Sequence, residues 1–378
     1  MMKRCLLSGV AFAAALALAG HASAQVKLAI GGPITGGSAV FGAQLKMGAE
    51  QAVADINTAG GILGQKISVE VGDDASDPKQ GISVANKFVG DGVTWVVGHF
   101  NSSISIPTSA VYMENGILQI TPASTNPGLT NPDPKTGESK WNVFRTCGRD
   151  DQQGAVAGDY IARNFKGRKV AFVHDKKAYG KGLVDETKKA MNAAGLQEVL
   201  YDTINPSEKD YSAIVSKLKA AGVDLVYYGG EQTEAGLLVR QMRDQGMSTI
   251  LMGGDGIASE EYAQIAGDGA VGTLMTFPPD PRLNPAAAGV VKEFEAKKFN
   301  PETYTLYSYA AVQVLNQAAE AAKSLDPQAM AKVMHSGMAF HTVVGDISYD
   351  SKGDVTRADY VVYRWVKGAD GKITYKQL

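Results

Sequence analysis

The sequence predicts an α/β protein made of two lobes, each with a parallel sheet, joined by extended crossings of the chain. Short apolar segments that resemble buried strands alternate with segments of helical periodicity through most of the 378 residues. Strands separated by helices favour parallel sheets with right-handed connections. Two junctions interrupt this alternation: residues 126–140 are rich in Pro, Asn, Gly and Thr, and residues 277–281 are rich in Pro. They indicate two lobes with a ligand cleft between them.

The elements follow in order. A buried strand at residues 26–31 precedes a helix over 41–57, in which Leu45, Ala49, Ala52 and Ile56 share one face. A second helix is predicted at 78–89, two consecutive helices cover 284–323, and short strands follow residue 343. Further strands are predicted at residues 66–71, 94–97, 141–145, 169–173, 196–201, 224–228, 249–252 and 272–276. We therefore assign residues 25–143 and 279–352 to the first lobe, and residues 144–278 and 353–378 to the second.

The first 24 residues have the pattern of a signal peptide. A basic start at residues 1–4 is followed by an apolar stretch at 5–19 and by Ala22-Ser-Ala24, a typical cleavage site. The apolar stretch is too short for a membrane-spanning helix. We expect a mature chain that begins at Gln25 and is exported to the periplasm.

The net charge and the cysteine content of the mature chain limit the classes of partner and of covalent chemistry that we expect. Removal of Lys3 and Arg4 from 37 basic residues leaves 35 against 39 acidic ones, a net charge of −4. This balance favours neither nucleic acid nor an anionic membrane as partner. Cys147 is then the remaining cysteine, which excludes an internal disulfide, and we expect it to be a buried structural residue rather than a nucleophile.

Hydroxyl residues follow two neighbouring strands. Ser102 and Ser103 precede a helical segment and so lie at a helix N-terminus, and Thr121, Ser124 and Thr125 follow the next strand. Helix N-termini and strand ends at one edge of a parallel sheet suit a small carboxylate. Either segment alone could also consist of ordinary caps and turns, but together they favour an anion site.

Motifs for catalysis or cofactor binding are not found in the sequence, so we predict no enzyme and no cofactor. It has no His-Glu-x-x-His, no Gly-x-Ser-x-Gly and no phosphate loop. His99 and His174 end strands near the expected cleft, where packing and ligand contact both remain open. The pairs Asp74/Asp77 and Asp150/Asp151 are compatible with capping as well as with acid–base chemistry.

Several longer motifs resemble the periplasmic leucine/isoleucine/valine-binding proteins of ABC transporters, in order and over nearly the whole mature chain. They are Glu50-Gln-Ala-Val-Ala-Asp-Ile-Asn57, Gly72-Asp-Asp-Ala-Ser-Asp-Pro-Lys-Gln80, Ile120-Thr-Pro-Ala-Ser-Thr125, Val173-His-Asp-Lys-Lys-Ala-Tyr-Gly-Lys-Gly182, Glu208-Lys-Asp-Tyr-Ser212 and Val226-Tyr-Tyr-Gly-Gly230. The resemblance implies the type I periplasmic binding protein fold, in which two doubly wound parallel-sheet lobes are joined by three crossings and an amino acid lies in the cleft. It also implies an inner-membrane ABC permease as partner and a monomeric state. A ligand-sensing subunit that docks on a membrane receptor would have the same sequence features.

The resemblance also implies the ligand contacts. Ser102 and Thr125 would hold the α-carboxylate, while the Ala123 carbonyl, the Thr125 hydroxyl and Asp255 would hold the α-ammonium. Both charges need partners because a buried unpaired charge is costly. The remaining residues implied at the pocket are Phe41, Phe100, Asn101, Ser124, Tyr179, Glu231 and Tyr304.

Four positions depart from the family pattern and bear on specificity. Ser76 and Asn101 stand where a disulfide is often found, Glu231 replaces a usual pocket tyrosine, and Asp255 replaces a glutamate. A polar wall would favour small or polar neutral amino acids, including 4-aminobutyrate. If Glu231 instead turns to solvent or to a lysine at the hinge, an aliphatic pocket remains, and the sequence leaves both interpretations open.

Overall fold

Two sheets, of five and seven strands, form the centres of two lobes. The structure is a computed structural model that describes residues 26–357 and 359–378; the predicted signal peptide lies outside these residues. The first sheet is entirely parallel in the order β2-β1-β3-β4-β5. Its strands are β1 (Val26–Gly32), β2 (Ile67–Asp73), β3 (Trp95–Gly98), β4 (Leu118–Thr121) and β5 (Val143–Arg145). Its helices are α1 (Ala39–Thr58), α2 (Pro78–Gly90) and α3 (Ser102–Glu114).

The second sheet has the order β14-β13-β10-β9-β8-β6-β7, in which β13 pairs antiparallel with both of its neighbours, β10 and β14. Its strands are β6 (Val170–His174), β7 (Leu200–Thr203), β8 (Leu225–Gly229), β9 (Ile250–Gly253), β10 (Leu274–Phe277), β13 (Val361–Lys367) and β14 (Ile373–Gln377). Five helices belong to this lobe: α4 (Asp150–Asn164), α5 (Ala178–Ala193), α6 (Ser212–Ala221), α7 (Gln232–Asp244) and α8 (Glu260–Ala266). The strands β6 and β8 to β10 are buried on both faces, as expected for parallel strands covered by helices.

After β10 the chain returns to the first lobe. It forms α9 (Ala288–Ala296), α10 (Thr303–Ala322), α11 (Pro327–Met334) and a hairpin of β11 (Phe340–Thr342) and β12 (Gly345–Ile347). The helices α10 and α1 pack closely, since a Cβ at Gly48 would lie 2.0 Å from the Thr305 carbonyl oxygen. The chain thus passes between the sheets three times, after β5, after β10 and after β12. The predicted fold class is confirmed, with two antiparallel strands added to the second sheet.

A buried ion network fastens the first and third crossings to each other. Arg145 donates from Nε to Asp354 Oδ1 at 2.7 Å, and Arg149 donates from Nη1 to Asp354 Oδ2 at 2.5 Å. Thr130 adds a hydrogen bond of 2.8 Å to the same carboxylate. Burial alone would raise the pKa of Asp354, but the charge and hydrogen bond of Arg145 lower it to about 2. The two crossings are therefore held at one fixed separation.

Cys147 lies in the first crossing and is buried, as predicted. Its thiol contacts the Ser124 carbonyl oxygen at 3.6 Å, and burial raises its pKa far above the ordinary value. Within the described ranges, none of the helices combines the length and apolar character needed to cross a membrane.

Candidate ligand-binding site

A small cavity lies between the lobes, and residues from both of them line it. The space between its lining atoms is about 250 Å³. Within that space, about 10 Å³ can hold the centre of a water-sized sphere. That accessible volume is roughly what one water needs. The lining residues are Phe100, Asn101, Ser102, Ala123, Tyr179, Glu231, Asp255, Gly256 and Tyr304. Eight of these nine were predicted from the sequence, and Gly256 was not.

The first lobe brings the start of α3 to the cavity. Asn101 is the N-cap and Ser102 is the first helical residue, so the helix begins one or two residues earlier than the sequence indicated. Unpaired amides and the positive end of the helix dipole meet here. The Ser102 hydroxyl accepts a hydrogen bond from the Asn126 amide at 3.2 Å and can still donate its proton into the cavity. This end of the site therefore suits a carboxylate.

The loop that follows β4 carries Ala123 and Thr125. Thr121 Oγ1 accepts from the amides of Ala123 (3.2 Å) and Ser124 (2.9 Å), which folds the loop back over the strand end. Arg145 binds the same loop through the carbonyl oxygens of Ser124 and Asn126. Thr125 is 1% exposed, and among the described residues its hydroxyl has no hydrogen-bond partner. A buried hydroxyl in that state is free to bind a ligand.

Asp255 follows β9 and is gripped from both lobes. Tyr179 of α5 donates to Oδ1 at 2.9 Å, and Tyr304 of α10 donates to Oδ2 at 2.7 Å. Burial raises the pKa of the Asp255 carboxyl, although both phenol groups act against that shift. A Cβ at the neighbouring Gly256 would lie 2.5 Å from the Gly230 carbonyl oxygen, so only glycine allows this close packing. The carboxylate is thus fixed as the acceptor end of the cavity.

Glu231, at the N-cap of α7, lines the cavity and also bridges the cleft. Asn101 donates from Nδ2 to Glu231 Oε1 at 2.5 Å, and the Ser38 hydroxyl makes a short hydrogen bond to Oε2. Lys177 Nζ lies 3.6 Å from the same carboxylate. Next to it, Gln232 donates to the Gly37 carbonyl oxygen at 3.0 Å. Each interpretation of Glu231 is therefore correct in part. The side chain faces the cavity, and its charge is compensated by Lys177 and by two hydrogen-bond donors.

Three predicted contacts are not among the lining residues: Thr125, which lies in the loop after β4, and two residues that lie behind the cavity wall. Phe41 is completely buried and stacks on Phe100 with ring centroids 4.4 Å apart, so Phe100 covers it on the cavity side. The Ser124 hydroxyl bonds to Ser105 Oγ at 2.6 Å and to the Phe100 carbonyl oxygen at 2.9 Å. Both assignments as direct contacts are corrected: these residues shape the wall without reaching the ligand space.

The two histidines left open by the sequence have packing roles. His99 is fully buried between Asp74 (Nδ1 to Oδ2, 2.7 Å) and Tyr112 (Nε2 to the hydroxyl, 2.8 Å). His174 accepts from the Lys176 amide at 3.0 Å through Nδ1. Neither residue lines the cavity.

A larger groove of about 360 Å³ lies at the crossings, beside Thr146, Pro279 and Tyr307. The charged residues of this groove pair locally: Arg357 with Asp359, and Asp280 with its neighbour Arg282. It offers no arrangement for a zwitterion, whereas the small cavity has a donor end and an acceptor end. We therefore take the small cavity as the ligand site.

Two α/β lobes around a cleft with both ends polar define a solute-binding protein, and comparisons with known proteins agree. A model of the periplasmic binding protein family matches residues 25–372. The chain is 57% identical over 376 residues to Leu/Ile/Val-binding protein homolog 1 of Brucella melitensis, with all of both chains covered. The chain belongs to the periplasmic binding protein family, which confirms the resemblance found in the sequence.

Solved structures give the same result. A leucine-binding protein of Thermotoga maritima matches with a TM-score of 0.83 and 26% identity, over 93% of this chain and 97% of that one. The branched-chain amino acid transporter substrate-binding protein of Streptococcus pneumoniae, solved with isoleucine, matches with a TM-score of 0.81 and 25% identity. That match covers 94% of this chain and 99% of the other.

Proposed function

We propose that this protein binds a free amino acid between its lobes and delivers it to an ABC permease of the inner membrane. The observation that carries the proposal is the polarity of the cavity. Asp255 forms an acceptor end, and the start of α3 at Ser102 forms a donor end. A zwitterion needs both, because each of its charges must be paired once it is buried. The names of the Brucella and Streptococcus proteins support the same ligand class.

We further propose that the lobes act as jaws. Residues 25–143 and 279–352 would form one jaw, and residues 144–278 and 353–378 the other. Tyr304 reaches Asp255 from the opposite jaw, and Glu231 bonds to Asn101 across the cleft. Contacts of this kind exist only when the cleft is shut, so ligand binding would favour closure.

In the cell, we propose a periplasmic monomer released from a signal peptide of residues 1–24. Family membership supports this location. We propose that the protein binds its solute without enzymatic turnover and without a cofactor. The carboxylates of the site then serve to pair with positively charged groups.

We propose a small neutral amino acid as the ligand. The side-chain end of the cavity presents Asn101 and the compensated Glu231, and the free space is small. A long aliphatic side chain would have to displace these polar groups, which carries a desolvation cost. 4-Aminobutyrate remains a candidate because its ammonium lies farther from its carboxylate.

A thermal-shift screen of the twenty amino acids and 4-aminobutyrate tests the function. A ligand at 100 times its Kd should stabilise the folded state by about 2.7 kcal/mol. We expect alanine, serine or another small neutral amino acid to raise Tm most. Propionate, which lacks the ammonium, serves as control. A protein whose Tm responds to none of these amino acids would contradict the proposal.

Replacement of Glu231 by tyrosine should change selectivity. The loss of a polar wall favours leucine over alanine, and we expect the ratio of their affinities to rise about 10-fold, the equivalent of about 1.4 kcal/mol. Absolute affinity for alanine should fall, because the hydrogen bonds to Asn101 and Ser38 across the cleft are lost. Competition calorimetry measures both quantities. Glu231→Gln keeps the polar wall and should leave the ratio close to that of the wild type; equal ratios in all three proteins would place Glu231 outside the selectivity mechanism.

A further inference from the structure

Asn101, at the N-cap of α3, does not cap its own helix. Asparagine is among the residues preferred at this position, because its side-chain oxygen can accept from the amide of the second or third helical residue. Here the side chain makes no such hydrogen bond. The Ile104 amide already donates to the Asn101 carbonyl oxygen at 2.9 Å, whereas Ser102 and Ser103, as the first two helical residues, have no acceptor within the helix. The helix therefore begins with amides that remain available to an anion.

Two hydrogen bonds hold the Asn101 side chain in another direction. The Ser76 hydroxyl donates to Oδ1 at 2.9 Å, and Nδ2 donates to Glu231 Oε1 at 2.5 Å. The orientation of the amide follows from this chemistry, because an ionised carboxylate only accepts hydrogen bonds and so faces the NH2 group. Asn101 is 4% exposed and lines the cavity, while Ser76 is not among the lining residues. Ser76 therefore acts on the cavity through Asn101.

The loop after β2 keeps the Ser76 hydroxyl in place. Ser76 has a left-handed backbone with φ 59°, which costs free energy in a residue other than glycine. Its amide donates to Asp74 Oδ1 at 3.0 Å, and Asp74 Oδ2 contacts Nδ1 of His99 at 2.7 Å. Nε2 of His99 contacts the Tyr112 hydroxyl at 2.8 Å. The buried Asp74–His99 pair joins the loop to the chain just before Asn101, so Ser76 and Asn101 keep a fixed separation.

We propose that Ser76 is a positioning residue for the carboxylate of the ligand. By holding the Asn101 side chain away from the start of α3, it leaves the Ser102 and Ser103 amides free for the ligand. The same hydrogen bond turns the Asn101 amide towards Glu231, which preserves the bond between the lobes. Without the Ser76 hydroxyl, the Asn101 side-chain oxygen competes with the ligand for the Ser103 amide. This inference rests on the proposed function and names the residue that keeps its donor end open.

Calorimetry with L-alanine and L-leucine tests the proposal on wild type, Ser76→Ala, Asn101→Ala and the double variant. Ser76→Ala should weaken binding by about 3- to 30-fold, the equilibrium equivalent of one N-cap hydrogen bond. In Asn101→Ala no side chain is left to cap the helix, so the added Ser76→Ala change should alter affinity by less than about 2-fold. Ser83→Ala removes an exposed hydroxyl that donates to the Lys79 carbonyl oxygen on α2. It is the matched control and should bind as wild type.

The ligand-free protein provides an independent readout. Amide hydrogen exchange followed by NMR should be slower at Ser103 in Ser76→Ala than in wild type, because this amide acquires an acceptor. The melting temperature of Ser76→Ala should stay close to that of wild type, since a capping hydrogen bond replaces the one to Ser76. Ser76→Gly lacks the hydroxyl but relaxes the left-handed backbone, so it should lose affinity as Ser76→Ala does.

Equal amino-acid affinity in wild type and Ser76→Ala would overturn the proposal. The same loss in the Asn101→Ala background would also overturn it, since the effect would then not pass through Asn101. A lower melting temperature with unchanged exchange at Ser103 would do so as well, because the hydroxyl would then merely support its loop. Failure of the wild type to bind any amino acid would refute the proposed function, whereas exchange at Ser103 would still decide whether Ser76 keeps Asn101 from capping α3.

Discussion

Replacement of Asp354 by alanine should lower the free energy of unfolding by about 3–5 kcal/mol. The change leaves Arg145, which is 0% exposed, and Arg149, which is 7% exposed, without their shared counter-charge. Breaking a buried ion pair from one side is far more costly than losing a surface pair. Urea unfolding followed by circular dichroism measures the difference. Asp268→Asn, which breaks an exposed pair with Lys367, is the control and should change stability by less than about 0.5 kcal/mol.

The same carboxylate predicts a pH dependence. Its pKa is about 2 in the folded protein and about 3.9 in an unfolded chain, so its contribution is fully present above pH 4 and is lost as the pH falls towards 2. The difference corresponds to about 2–3 kcal/mol. Asp354→Asn should lose this part of the acid dependence. Parallel stability–pH curves for wild type and variant between pH 4 and 2 would contradict the assignment.

The second large effect is expected at Asp255. Asp255→Asn removes the counter-charge of the ligand's ammonium while it keeps the shape of the side chain, and we expect at least about 100-fold weaker binding of L-alanine. Truncating one member of a buried charge pair costs about 2–5 kcal/mol. Thr125→Ala and Ser102→Ala should each weaken binding by about 10- to 100-fold, since each removes a hydrogen bond to a charged group.

Calorimetry with the ligand found in the thermal-shift screen measures this series. Asp185→Asn, in an exposed pair with Lys181 on α5, is the matched control and should bind as wild type. Undiminished affinity in Asp255→Asn would reverse the proposed orientation of the ligand. Undiminished affinity in both alanine variants would show that the ligand's carboxylate does not bind at this end of the cavity.

Periodicity and composition were enough to predict most of the architecture. The parallel strands are short, apolar and separated by amphipathic helices, so their positions were predicted within a few residues. The sequence was less clear at β7, an edge strand whose residues are half-exposed and which begins at Leu200 instead of residue 196. Helix α11 was not predicted, although Asp326 caps it and Pro327 opens it, because eight residues carry too little periodicity.

The binding site shows what a sequence motif cannot predict about individual side chains. Family resemblance led to eight lining residues, but it could not separate a side chain that faces the cavity from one packed behind it. Phe41 and Ser124 belong to the second kind, and the difference depends on stacking and hydrogen bonds between distant segments.

Cys147 has a practical consequence. It is the one cysteine among the described residues, and it is buried. Its thiol stays protonated because burial raises its pKa. A thiol-reactive dye therefore has little access to it. A cysteine introduced at exposed Thr35, on the loop that reaches Gln232 through Gly37, could carry a fluorophore whose brightness reports the movement of the jaws. The native cysteine therefore does not need to be removed before the protein is converted into an optical amino-acid sensor.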